Sequence, residues 1–160
     1  MTTPATAAKP TNQRSAARLA AVQALYQMDI ASTDIADVIA QFQTHRFGAE
    51  GEGGAPDNAD RLFFAELIRG VVRRQLDIDP MLDAKLADGW RLNRLDSILR
   101  ATLRSAAFEL VERRDVPAKV VVNEYVNIAK DFFSGDEPKV VNAVLDKIAR
   151  AQRAGEFGDG

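Results

Sequence analysis

The stretch RSAARLAAVQALYQM, from Arg14 to Met28, decides the expected fold class. It is rich in alanine, leucine and glutamine and holds no glycine or proline, so a helix is its favoured backbone. Apolar side chains recur at three- and four-residue intervals and define one helical face: Leu19, Val22, Leu25 and Tyr26. Arg14 and Arg18 lie four residues apart, and no acidic residue occurs between Lys9 and Met28. The segment therefore predicts an amphipathic helix with a positive end.

Similar patterns along the rest of the chain predict about seven helices and no strand, which is an all-α fold. The predicted helices cover approximately residues 12–29, 34–47, 59–76, 79–89, 90–113, 117–133 and 138–153. Short connections lead us to expect that consecutive helices pack as antiparallel neighbours. We expect a disordered tail at 1–10, a single domain at 11–153 and a flexible tail at 154–160. Gly48–Asn58 is expected to be a loop that separates two groups of helices.

Composition is typical of a soluble globular protein, with 160 residues, 46% hydrophobic and 28% charged. There is no secretory signal pattern and no apolar run long enough for a membrane span, so a cytoplasmic location is expected. The net charge of -2 argues against a strongly basic nucleic-acid binder. The charges are nevertheless segregated, because residues 91–114 hold six arginines against three acidic residues while residues 29–60 are acidic. The chain can therefore present one positive face.

The sequence offers few candidates for catalytic or metal-binding residues. The chain has no cysteine and one histidine, His45, which excludes cysteine nucleophiles and the usual transition-metal sites. The glycine-rich loop lacks the Gly-Lys-Ser/Thr sequence of a phosphate-binding loop. Asp77, Asp79 and Asp83 cluster near a predicted helix start, where capping explains them without a metal. We predict no catalytic residue, no metal and no cofactor.

The basic residues leave two interpretations open. Arg14 and Arg18 are either a solvated helix end or contacts to phosphate, which the guanidinium fork matches. Tyr26 is either a core aromatic or a platform for an unpaired base. Arg100 and Arg104 either extend a basic face or solvate their helix. Spacing alone does not choose between these alternatives.

Four segments, in order, resemble the NusB family of bacterial transcription antitermination factors. They are Arg18 with QALY (23–26), WRLNRLDSILRATLRSAAFEL (90–110), DVPAKVVVNEYVNIAKDF (115–132) and KVVNAVLDKIA (139–149). The resemblance implies an all-helical protein of two small bundles that is not an enzyme. It also implies binding to the boxA element of nascent ribosomal RNA leaders together with NusE, a small-subunit ribosomal protein. NusA, NusG and RNA polymerase would complete the antitermination complex.

The resemblance also assigns residues by motif position. The implied RNA-binding residues are Arg14, Arg18, Tyr26, Arg104, Lys139, Val140 and Asn142. Asp136 is implied as a neighbour of that site, and Leu99 and Arg100 lie in a segment near the NusE side. Ser15 and Ala16 interrupt an arginine run that is common in the family, and Val140 replaces an aromatic residue seen in some relatives. Fewer phosphate contacts imply weaker binding that depends less on salt.

Two other interpretations of the chain are open. A NusB-like helical domain also occurs in some ribosomal RNA cytosine methyltransferases, so the chain could be an RNA-binding or adaptor module without catalytic activity. Some NusB-like proteins are homodimers, and apolar surface on the first helix could serve self-association.

Overall fold

The computed structural model describes residues 10–49, 54, 55 and 58–158, and within them the expected all-α class is confirmed. The six α-helices are α1 Pro10–Ala31, α2 Ile35–Gln41, α3 Arg61–Lys85, α4 Ser97–Glu112, α5 Ala118–Phe132 and α6 Glu137–Gln152. A π-helical turn, Phe42–Arg46, continues α2, and 3-10 turns form at Leu92–Arg94 and Ala154–Phe157. Apart from its residue Pro10, which begins α1, the predicted N-terminal tail lies outside the described residues.

The chain divides into two compact units, one up to Arg69 and the other from Gly70 onward. Their boundary falls within α3, and not in the Gly48–Asn58 loop where the sequence placed the division. The described part of that loop is fixed by backbone hydrogen bonds, since the Gly48 amide donates to the Ala55 carbonyl at 2.8 Å. The Ala55 amide in turn donates to the Arg46 carbonyl at 2.8 Å.

In the first unit, α1 buries a face made largely of alanine. Its fully buried residues, all 0% exposed, are Ala17, Ala20, Ala21, Val22 and Ala24, and Leu25 is 7% exposed. Small side chains allow close helix packing, and three aromatic rings complete the core of this unit: Phe42, Phe47 and Phe64, with centroids 5.0–6.0 Å apart. Val22 and Leu25 are buried, so neither adds exposed apolar surface for the self-association that the sequence left open.

The predicted third and fourth helices form one continuous helix, α3, with Pro80 inside it. The prediction that Asp79 and Pro80 begin a new helix is therefore wrong. A proline inside a helix removes a hydrogen bond and costs about 3 kcal/mol. Ile78 and Leu82, on either side of Pro80, are 1% and 0% exposed, so core packing holds the helix together through the proline.

The predicted fifth helix begins later than expected, because Trp90 to Leu95 form a loop and a 3-10 turn. The Asp96 side chain caps α4 by accepting from the Ile98 amide at 2.8 Å. Arg100 fixes the loop by donating to the carbonyls of Leu92 and Leu95 at 3.2 and 2.9 Å. Pattern alone missed this break because the buried leucines of the loop continue the helical spacing.

The second unit packs α4 against its neighbours with little space to spare. Gly70 is buried on α3, and a Cβ atom there would overlap the ring of Phe108 on α4. Close helix packing thus explains why a glycine stands inside this helix. Deeper in the unit, the Tyr125 hydroxyl donates to buried Glu109 at 2.6 Å and lies 2.8 Å from Ser105 Oγ.

The end of α6 is anchored by Arg153, which is 3% exposed. Its guanidinium donates to four carbonyls, of Glu109, Leu110, Arg113 and Val116, at 2.8–3.0 Å. It also pairs with Glu156 at 2.7 Å, and Glu156 accepts from the Ala118 amide at 2.8 Å. Residues 154–157 thus form a bonded 3-10 turn, where the sequence predicted a flexible tail.

Candidate nucleic-acid interface

The positive end of α1 separates into one exposed arginine and one buried arginine. Arg18 is 2% exposed, and its guanidinium lies 5.1 Å from the centroid of the Phe63 ring. The side chain of Arg14 is 38% exposed, lies 4.8 Å from the same ring and approaches Asp60 at 4.0 Å. The structure corrects the assignment of Arg18 to the RNA side, because a buried guanidinium cannot reach a phosphate. The Arg14 side chain is the more exposed of the two.

Tyr26 lies about two turns beyond Arg18 on α1 and is half-buried. A polar network occupies the neighbouring helix surface. Gln27 donates to Gln41 at 2.7 Å and accepts from Arg46 at 2.8 Å. Burial lowers the pKa of Arg46, whose guanidinium also lies 4.2 Å from the Phe42 ring centroid. Arg46 thus serves the first unit's structure, while the partly exposed Tyr26 ring retains a surface that a base could contact.

Arg104 already has a partner. Its Nε and Nη2 atoms donate to the two carboxylate oxygens of Asp79, both at 2.9 Å. The pair lines a cleft of about 410 Å³ together with Asp83 and Arg91. The guanidinium fork that would match a phosphate is used within the protein, so the contacts of Arg104 give no support to its assignment to RNA.

The two residues assigned to the NusE side also have structural roles. Leu99 is 1% exposed, so it is part of the core and has no surface to offer a partner. Arg100 donates to the loop carbonyls described above and to Ser97 Oγ at 3.2 Å. The structure therefore corrects Leu99 as an interface residue and shows Arg100 as a support of the loop.

Lys139 and Val140 do lie together in a surface groove of about 350 Å³, which we call the Trp–Lys groove. Asp136 also lines it, as expected of a neighbour. The sequence prediction missed the other lining residues, which are Lys85, Ala87, Trp90, Ala143, Val144 and Lys147. The spacing of Lys139, Ala143 and Lys147, four residues apart along α6, was the signal that could have found part of this surface.

Asn142 is not brought into the Trp–Lys groove. It lines a different surface depression of about 330 Å³, with Asp146 and Arg150 at successive four-residue steps on α6. Within the second unit, the predicted site residues on α6 are therefore distributed over two surface depressions. Arg14 and Tyr26 belong to the first unit, and Lys139 and Val140 belong to the second.

The lysines and the tryptophan of the Trp–Lys groove indicate the class of ligand that this surface suits. Lysines around an exposed aromatic ring are the side chains that proteins use to bind single-stranded nucleic acid, and this all-helical chain carries them in the Trp–Lys groove. None of the helices in the described ranges has the length and apolar character needed to cross a membrane.

Comparison with known proteins identifies the family. The sequence model of the NusB family matches residues 15–150, and the chain belongs to that family. A transcription antitermination protein NusB from Rhizobium etli (strain CIAT 652) is 53% identical over 146 residues, which cover 91% of each chain. Membership in this family confirms the prediction that the chain is not an enzyme.

Solved structures agree with the family assignment. A structure of T. maritima NusB matches with a TM-score of 0.73 and 28% identity over 98% of this chain and 99% of that chain. A crystal structure of antitermination factors NusB and NusE in complex with dsRNA matches with a TM-score of 0.66. It is 22% identical and covers 86% of this chain and 96% of that chain, so this likeness shows the fold alone.

Proposed function

We propose that this chain is a transcription antitermination factor that binds the boxA element of nascent ribosomal RNA leaders together with NusE. In this function it supports processive transcription of ribosomal RNA within a complex that contains NusA, NusG and RNA polymerase. Its place of action is the cytoplasm, where bacterial transcripts are made. The observation that carries the proposal is the family match over residues 15–150. A protein of the same fold has been crystallised with NusE and dsRNA, which further supports the proposal.

The RNA-facing residues that the structure supports are fewer than the sequence predicted. In the first unit they are Arg14, whose side chain is 38% exposed, and the half-buried Tyr26. In the second unit they are Lys139 and Val140 in the Trp–Lys groove. A lysine or arginine on this surface would act by neutralising phosphate, and Tyr26 by stacking on a base.

A titration of labelled single-stranded boxA RNA, followed by fluorescence anisotropy, tests this function. We expect tighter binding to boxA than to a scrambled strand or to a duplex of the same length. Lys139→Gln should weaken binding and reduce the slope of log K against log salt by about 0.7, the value for one contact to a single strand. Lys130→Gln is the matched control, because Lys130 is also exposed but lies on α5 outside the groove. Equal affinity for boxA and the scrambled strand would reject the proposal.

A further inference from the structure

The Trp–Lys groove has a charge pattern that suits an anion. Lys85, Lys139 and Lys147 line it against one carboxylate, Asp136. Among the described residues, none of the three ammonium groups has an acidic partner within ion-pairing distance. Nearly every arginine described above is committed to a carbonyl, a carboxylate or an aromatic ring. The lysines of the groove are thus cations that the fold does not use for its own structure.

The groove also contains an exposed aromatic ring, that of Trp90, which follows a hydrogen-bonded turn. Trp90 is 37% exposed, although tryptophan is usually well buried. It follows Gly89, whose φ of +91° is in the left-handed region that favours glycine. The Trp90 amide closes this turn by donating to the Ala87 carbonyl at 3.0 Å. Part of the indole is therefore held at the surface, beside the apolar side chains of Val140, Ala143 and Val144.

We propose that the Trp–Lys groove is a nucleotide subsite for single-stranded RNA, in which a base stacks on Trp90 and the flanking phosphates contact Lys85, Lys139 and Lys147. An aromatic face with surrounding cations is the usual means of binding a single strand, because every base has a π-face. The volume of about 350 Å³ is at the small end of ligand pockets and fits one nucleotide. This subsite rests on the proposed function, since it continues from Lys139 and Val140.

Within the part of the chain that the structure describes, the groove offers a single aromatic ring for stacking. Val140 has no aromatic ring, so this position cannot stack on a base. Trp90 lines the same groove as Val140 and supplies an aromatic ring from the loop that follows α3. In this chain, therefore, we assign base stacking to Trp90 and apolar support to Val140.

The test uses the fact that Trp90 is the only tryptophan of the chain. Intrinsic tryptophan fluorescence is measured while the full chain is titrated with single-stranded boxA RNA, and anisotropy of labelled RNA is measured in parallel. We expect the fluorescence to be quenched and to saturate at the same RNA concentration as the anisotropy. Trp90→Leu should weaken binding roughly 5- to 150-fold, which corresponds to the 1–3 kcal/mol of one stacked base. Trp90→Phe should retain most of the affinity.

The controls separate the subsite from the general function. Phe132 is 38% exposed on α5 and lies outside the groove, so Phe132→Leu should bind RNA as the wild type does. Lys85→Gln and Lys147→Gln should each lower the salt slope by about 0.7, and Lys130→Gln should not.

Three outcomes would overturn the subsite. In the first, the wild-type chain binds boxA RNA, its tryptophan fluorescence does not change on binding, and Trp90→Leu binds with the wild-type affinity. The subsite is then wrong and the proposed function stands. If NusE alone quenches Trp90 and RNA does not, the groove belongs to the protein partner. If the wild-type chain binds no RNA with or without NusE, the proposed function fails and the subsite fails with it.

Discussion

Arg18 provides a sharp test of how the structure divides the roles of the two N-terminal arginines. The substitution Arg18→Glu places a carboxylate in a position that is 2% exposed, against the face of Phe63. It removes a desolvated cation–π contact worth about 2 kcal/mol. It also buries a negative charge at a site that accommodates a cation, and an uncompensated buried charge costs about 3–5 kcal/mol. We therefore expect Arg18→Glu to lose about 3–5 kcal/mol of unfolding free energy, and Arg18→Met about 2 kcal/mol.

The assay is urea unfolding followed by circular dichroism, together with RNA titration under conditions where each variant is folded. Arg14→Glu is the matched control, because the same ring lies 4.8 Å away but the side chain is 38% exposed. We expect Arg14→Glu to change stability by only about 1 kcal/mol and to weaken RNA binding. Folded Arg18→Met should bind RNA as the wild type does. A stable Arg18→Met protein with reduced RNA affinity would refute this division.

The remaining predictions concern the second unit. Gly70→Ala should destabilise the chain by about 1–3 kcal/mol, because the new methyl group overlaps the Phe108 ring, and the shift in urea midpoint measures this loss. Arg153→Met should lose about 3–5 kcal/mol in the same assay, since buried carbonyls lose a charged donor. Hydrogen bonds from the Ala118 amide and then from Arg153 lower the pKa of Glu156 from 4.5. The ionised Glu156 carboxylate thus stabilises the fold above pH 4.5, and this stabilisation is lost as the pH falls through the lowered pKa. In Glu156→Gln, the free energy of unfolding should therefore decrease less between neutral and acidic pH than it does in the wild type.

Each of these expectations has a contrary result. Unchanged stability of Gly70→Ala would mean that the helices separate easily at this contact. Arg150→Met is the control for Arg153→Met, because the Arg150–Asp146 pair is exposed and contributes about 0.5 kcal/mol or less. Equal losses in the two variants would contradict the anchoring role of Arg153. An acid profile that is identical in wild type and Glu156→Gln would contradict the pKa argument.

The spacing of apolar residues along the sequence predicted the all-α fold class. It failed to predict local structure where tertiary packing overrides the preference of the local sequence. Three- and four-residue spacing of apolar side chains identified the helices. It could not show that α3 continues through Pro80, because the compensating burial of Ile78 and Leu82 is a property of the folded unit. It could not show the loop at Trp90 either, since the hydrogen bonds from Arg100 that fix it are made by the folded chain.

The site was harder to predict for a similar reason. Two arginines at a helix end look equivalent in sequence, yet Arg18 is buried and Arg14 is not. Arg104 looked like a cation available for phosphate until the structure showed its two bonds to Asp79. Lys139 and Val140, which motif position grouped together, line the Trp–Lys groove, whereas the contribution of Trp90 to the groove comes from a loop far away in sequence.

Under the proposed function, this chain recognises RNA jointly with NusE. The most direct test is the affinity of the full chain for single-stranded boxA RNA, measured at one salt concentration with and without saturating NusE. We predict that NusE tightens RNA binding by roughly 5- to 150-fold, which corresponds to a coupling of about 1–3 kcal/mol between the two sites. Equal RNA affinity in the presence and absence of NusE would contradict the claim.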